Sequence, residues 1–142
     1  MLEDVPKLST SHSEGEKLEF QFTSRYKNPL EILTDRELAA LGDSCVNFIF
    51  SLALSMRLNK PAGSKVKSRI LAIALKKASL RERLPSRVDR HRQADAAEAL
   101  IIYAWLVGIV TIEECVTILG KEAQPEDGFS ILLRTIFERV KF

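Results

Sequence analysis

Two stretches of the chain, residues 44–56 and 99–111, hold thirteen residues each without a charged side chain. Both fall short of the roughly 18–20 residues needed to cross a bilayer, and they read as buried core helices. Thr34-Asp35-Arg36-Glu37 has the form of a capping box, which predicts a first helix from Thr34 to about Leu58. Asn59-Lys60-Pro61-Ala62-Gly63 is a loop. Ser64 can cap a second helix to about Ser79, with Val66, Ile70, Ile73 and Ala74 inward and Lys65, Arg69 and Lys76 outward. Leu84-Pro85-Ser86 breaks the chain. A third helix is expected over about 88–108, with Gly108 as its stop. Thr111-Ile112-Glu113-Glu114 repeats the capping pattern and opens a fourth, ending at Gly120. Residues 125–128 read as a turn and 129–140 as a final amphipathic helix. Residues 18–22 alternate like a short strand. Residues 1–17 are polar and irregular. The fold class is therefore all-α, a bundle of about five or more helices over 31–142, with an N-terminal, partly extended arm over 1–30.

The chain has 142 residues, of which 46% are hydrophobic, enough for one domain with its own core. The low hydrophobicity and high net charge of disordered chains are both missing. Its first ten residues carry acids and proline rather than a basic and then apolar leader, so no signal peptide is expected and the setting reads as cytoplasmic, away from membranes. Cys45 and Cys115 lie far apart in apolar runs and read as small core hydrophobes. Without a CxxC or Cys/His cluster, a structural zinc site is not expected.

The net charge of +2 conceals an asymmetry. Between Arg57 and Arg92 twelve Lys/Arg face two acids, Glu82 and Asp89, a local +10 against −8 in the remainder. Lys65, Arg69 and Lys76 share one predicted stripe, and Arg81, Arg83, Arg87, Arg90 and Arg92 crowd the approach to Asp95. Such a segment can hold a polyanion through sequence-independent phosphate contacts. Double-stranded RNA, read mainly by shape, phosphates and 2′-hydroxyls, needs no more. The plainer reading of the lysines is a solvated helix face. His91 reads as a solvated loop residue, and Tyr103 and Trp105 as core rather than base-stacking platforms.

Residues 42–56 carry one charge, Asp43, on a helix apolar nearly all round. Leu38, Leu41, Cys45, Phe48 and Leu52 fall on one side, and Phe50 and Leu54 near the azimuth of Asp43. A carboxylate in that setting needs a cation, or it is neutralised by a raised pKa. Asp95 and Glu98, at i and i+3, head a second apolar stripe through Ile102, Trp105 and Leu106. Three inward carboxylates from two helices make an all-oxygen site suited to Mg²⁺ or Mn²⁺. Its chemistry would be attack of metal-activated water on a phosphodiester. Taken singly, Asp43 also suits a helix N-cap, and Asp95 a partner of Arg92 or an exposed first-turn acid.

Leu41-Gly42-Asp43-Ser44, followed by an apolar helix, resembles the LGD signature of ribonuclease III, and Asp95-Ala96-Ala97-Glu98-Ala99-Leu100-Ile101 resembles that family's D-x-x-E-A-L-I helix. The resemblance covers about residues 30–120. It implies packed helices that dimerise and Mg²⁺-dependent cleavage of double-stranded RNA, with Asp43, Asp95 and Glu98 as catalytic metal ligands. One position departs from the pattern. The family has a glutamate one turn before the LGD aspartate, and here that residue is Ala39. Glu37 lies about 200° round the helix and is a poor substitute.

The expectation is a metal-dependent endoribonuclease acting on structured RNA as a homodimer. Asp43, Asp95 and Glu98 would be its site, and Lys65, Arg69, Lys76, Arg87, Arg90 and Arg92 its RNA contacts. Two rivals stand beside it. One is an RNA-binding or RNA-processing scaffold with an impaired site, favoured by Ala39. The other is a helical scaffold whose acids pair with Arg90 or Arg92.

Overall fold

A computed structural model describes residues 18–141, which form six α-helices and two 3-10 turns. In chain order the helices are α1 (Pro29–Leu33), α2 (Arg36–Leu58), α3 (Ser68–Lys77), α4 (Arg90–Leu106), α5 (Ile112–Lys121) and α6 (Pro125–Arg139). No strand occurs among the described residues. The all-α reading holds. Of the arm expected over residues 1–30, residues 1–17 lie outside the described part of the chain.

α4 is the axis of the bundle. Its run Ala96-Ala97-Glu98-Ala99-Leu100-Ile101-Ile102-Tyr103-Ala104 is buried throughout, and α1, α2, α3 and α6 pack round it. Four alanines in that run let neighbouring backbones come close, and Leu100, Ile101 and Ile102 fill the space between. α5 bridges α2 and α6. The remaining core comes from Ile32, Val46, Ile49, Leu71, Leu75, Phe129, Leu132, Leu133 and Ile136, all at most 2% exposed.

Several predicted ends move, each for a local reason. Thr34 does not open α2. It terminates the unforeseen α1, its hydroxyl donating to Leu30 O at 2.7 Å. Asn28 caps α1, with Pro29 in the first turn, where a missing N–H costs nothing. Asp35 is the cap of α2: its Oδ1 accepts from Glu37 N at 3.0 Å and Leu38 N at 3.1 Å, while Oδ2 accepts from Tyr26 OH at 2.6 Å. A carboxylate makes the stronger cap and displaces the threonine beside it. α2 ends at Leu58 as expected, on Asn59 in the left-handed region at φ 53°.

Ser64 does not cap α3, and Val66 precedes the helix rather than lining it. Residues 61–67 are non-helical because side chains of α2 satisfy their backbone groups instead. The strand expected at 18–22 is absent: residues 21–25 form a 3-10 turn after Thr23 Oγ1 bonds to Phe20 O at 2.8 Å. α6 begins at Pro125, so the predicted turn is its first turn, with Glu126 and Asp127 at the favourable end of the dipole. The capping box at Thr111 is present in both its bonds, and Gly108 stops the α4 region at φ 82°.

By length and apolar content α2 could cross a bilayer. Instead it packs against α4 and α5 with Leu38, Ala39, Gly42, Val46, Ile49 and Ala53 buried.

Candidate active site

The crossing of α2 and α4 is built on Gly42. A methyl at that position would overlap the Glu98 backbone carbonyl and lie 3.1 Å from Glu98 Cβ. With no side chain there, the two helices approach closely, and the next residue, Asp43, is brought beside the carboxyl of Glu98. Gly42 and Asp43 of the sequence motif thus have one geometric purpose: the first removes the obstacle to the second.

Glu98 is only 7% exposed. Burial, a hydrogen bond shared with Asp43, and the negative charges of Asp43 and Asp95 push its pKa up to about 8. At neutral pH the Glu98 carboxyl therefore keeps its proton. Asp43 itself is exposed on its outer side. Asp95, one turn before Glu98, is half-buried; burial raises its pKa, while Arg36, His91 and Arg92 work against that rise and Asp89 adds to it. None of the three acids forms a direct ion pair with an arginine among the described residues. The pairing of these acids with Arg90 or Arg92, expected of a helical scaffold, is not found.

Asp89 is the N-cap of α4, its Oδ1 accepting from Arg92 N at 2.9 Å. That bond carries the first turn of α4, and Arg92 with it, to the side of Asp95. Arg36, from the first turn of α2, meets them there. Arg36, Arg92, Asp35 and Asp95 line a small cavity of ≈90 Å³ whose walls include Leu84, Pro85 and Val88. Arg36 carried no role in the sequence reading. Its place two turns before Asp43 can be read from the sequence, but its approach to Asp95 depends on how α2 packs on α4.

Among the cations expected from sequence, Arg92 is the one brought to a carboxylate in the described residues. Arg87 sits in a turn at φ 65°, Arg90 opens α4, and Arg69 and Lys76 are exposed on α3. Lys65 leaves the predicted helical stripe, because residues 61–67 are not helical. Tyr103 is in the core and packs edge-on against Tyr26 at 5.6 Å, as expected. Trp105 is not: it is 36% exposed and lines a surface groove with Leu18 and Phe20. Burial raises the thiol pKa of Cys45 to about 11 and of Cys115 to about 12, so both stay protonated.

Among the described residues no three His, Cys, Asp or Glu side chains gather closely enough to form a cage. A hard cation such as Mg²⁺ needs none, since it is held by one or two carboxylates while waters and phosphate oxygens complete its shell. Asp43 and Glu98 offer two adjacent carboxyls, a donor set of the right chemical kind for such a cation. Ala39, where a further carboxylate was expected, is 3% exposed and packed into the core face of α2.

No curated protein matches this chain. A family model described as Ribonuclease III matches residues 36–132, a span that begins with α2, holds all three carboxylates and runs into α6. The chain belongs to the ribonuclease III family.

Proposed function

We propose that this protein is a metal-dependent endoribonuclease that hydrolyses phosphodiester bonds of structured RNA as a homodimer. The observation that carries the reading is the Asp43–Glu98 pair: two carboxyls from different helices, held together by a glycine crossing, with no arginine ion-paired to either among the described residues. Pushing two acids together costs stability, and a family whose members generally use Mg²⁺ gives that arrangement a purpose. Asp43 and Glu98 would hold the cation, with Asp95 adding negative charge one turn away. When bound, the cation supplies Lewis acidity and charge neutralisation at the scissile phosphate. Arg92 and Arg36, beside Asp95, would orient a neighbouring phosphate. The homodimer is supported by the face of α2 that carries Leu41, Phe48 and Met56, which continues into a groove of ≈650 Å³ lined by Leu52, Met56, Ile112 and Val116.

The test is incubation of the wild type and an Asp43→Asn, Glu98→Gln double variant with duplex RNA and Mg²⁺ or Mn²⁺. Cleavage by the wild type alone supports the reading. Salt-dependent RNA binding by both proteins with cleavage by neither would favour the second reading, an RNA-binding scaffold with an impaired site. Ala39, and the lack of a third close carboxylate among the described residues, speak for that alternative.

A further inference from the structure

A polar line runs along α2 beside its apolar faces: Asp43, Asn47, Ser51 and Ser55, each one turn after the last. Residues 61–67 lie on this line and are fixed to it at every second position. Ser55 Oγ accepts from Ala62 N at 2.9 Å, Ser51 Oγ accepts from Ser64 N at 2.9 Å, and Asn47 Oδ1 accepts from Val66 N at 2.8 Å. Ser51 Oγ also donates back to Ser64 O at 3.1 Å. Four residues of helix advance about 6.0 Å and two residues of extended chain about 6.6 Å, so the two registers match. The segment is a strap running antiparallel to α2. Its inward bonds fall at 62, 64 and 66, and Lys65 and Lys67 between and beyond them are exposed.

Asn47 stands where this line meets the carboxylate pair. A backbone N–H can only donate, so the carboxamide oxygen must face Val66 and the NH₂ is left to face Asp43. There Nδ2 donates to Asp43 Oδ1 at 3.4 Å. One side chain therefore touches both the strap and the acid that is paired with Glu98.

We propose that Asn47 is a positioning residue that orients Asp43 and holds the Lys65–Lys67 strap in register with the Asp43–Glu98 pair, so that the strap grips the sugar–phosphate backbone of the RNA strand presented to that pair. The inference rests on the ribonuclease reading above. Lysines on a pinned segment meet phosphates with less ordering cost than lysines on a free loop.

Asn47→Ala and Asn47→Asp separate the two roles of the side chain. In Asn47→Ala the Val66 amide should exchange with solvent about tenfold faster, and affinity for a blunt RNA duplex in EDTA should fall about three- to tenfold. Its Mn²⁺ affinity without RNA should fall about tenfold. Asn47→Asp keeps an acceptor for Val66, so exchange and RNA affinity should stay near wild type. It also sets a like charge beside Asp43, so kcat should fall with KM unchanged. A side chain that merely stabilised the fold would not split the variants in this way. Wild-type Val66 exchange in Asn47→Ala, or wild-type RNA affinity in that variant, would overturn the proposal. A wild type that binds RNA without cutting sinks the nuclease reading and leaves exchange and RNA affinity to decide the strap. A wild type that does not bind RNA overturns both.

Discussion

On one side of α2, Leu38, Ala39, Gly42, Val46, Ile49 and Ala53 are shut against the rest of the bundle; part of a turn away Leu41 and Phe48 stand 45% and 54% exposed, and Met56, in line with Leu38 near the end of the helix, is 75% exposed. Both faces are apolar, and a hydrophobicity count does not separate them. Residue size does. Three of the six buried positions are glycine or alanine, which allow a close helix crossing, whereas Leu41, Phe48 and Met56 are all large. Small residues mark where α2 meets its own chain, and large unpartnered ones mark a surface that a single copy does not cover. Between the two faces runs the polar line that begins at Asp43.

The strongest way to break this contrast is to enlarge the small face. Gly42→Ala puts a methyl into the Glu98 backbone carbonyl, which cannot rotate away, so α2 and α4 must separate. Urea unfolding should show a loss of about 3–5 kcal/mol, beyond the usual cost of overpacking. A loss under about 0.5 kcal/mol, the scale of an ordinary surface substitution, would mean that the crossing is not as close as described.

The same crossing makes stability depend on pH. Glu98 has a pKa of about 8 in the fold, against an ordinary glutamate value of 4.5. Between those values the native state binds more protons than the unfolded chain, so stability is full below about pH 4.5 and is lost as pH rises through about 8. The loss should amount to about 2–4 kcal/mol. In Glu98→Gln this part of the profile should flatten. Mg²⁺ added to the wild type near pH 8.5 should restore part of the stability, because it competes with the proton for the same carboxyls. Unfolding midpoints of both proteins from pH 5 to 9 measure this, and parallel profiles would sink the assignment.

What the sequence made legible follows the same division. Asp43, Asp95 and Glu98 stood out because charge in an apolar helix is an anomaly that needs no structure to see, and Thr111 and Gly108 announce helix ends by local chemistry alone. The strap was misread because Ser64 followed by Val66 and Ile70 has the form of a capped amphipathic helix. What prevents the helix is Asn47, Ser51 and Ser55, which lie 13 to 19 residues earlier in the chain for Ser51 and Asn47. Their one-turn spacing was visible, but the segment around them read as uniformly apolar. α1 was missed for a similar reason: five residues carry too little periodicity, and Thr34-Asp35 offers two caps in succession, of which only the second opens α2. Arg36 required knowing which helix faces Asp95.

A smaller effect belongs to the start of α2, on which all of its faces depend. Asp35→Ala removes the acceptor for Glu37 N and Leu38 N and for the Tyr26 hydroxyl. It should cost about 1–2 kcal/mol in urea unfolding. Asp35→Asn, which can still cap, should cost less. Equal losses would assign the effect to the carboxylate's charge rather than to the cap.

The exposed face should answer in the opposite sense, with almost no effect on the fold and a large one on association. Phe48 is 54% exposed and stacks on no other aromatic ring among the described residues, so Phe48→Asp should change the stability of a single copy by no more than about 0.5 kcal/mol. If two copies close over Leu41, Phe48 and Met56, the variant buries two carboxylates in an apolar seam and the dimer should dissociate. Sedimentation of both proteins over a range of concentrations reads this directly. A wild type that stays monomeric throughout would show that the face is not covered by a second copy. A dimeric Phe48→Asp would show that the seam lies elsewhere. In either case the size contrast between the faces of α2 would describe only how the chain packs on itself.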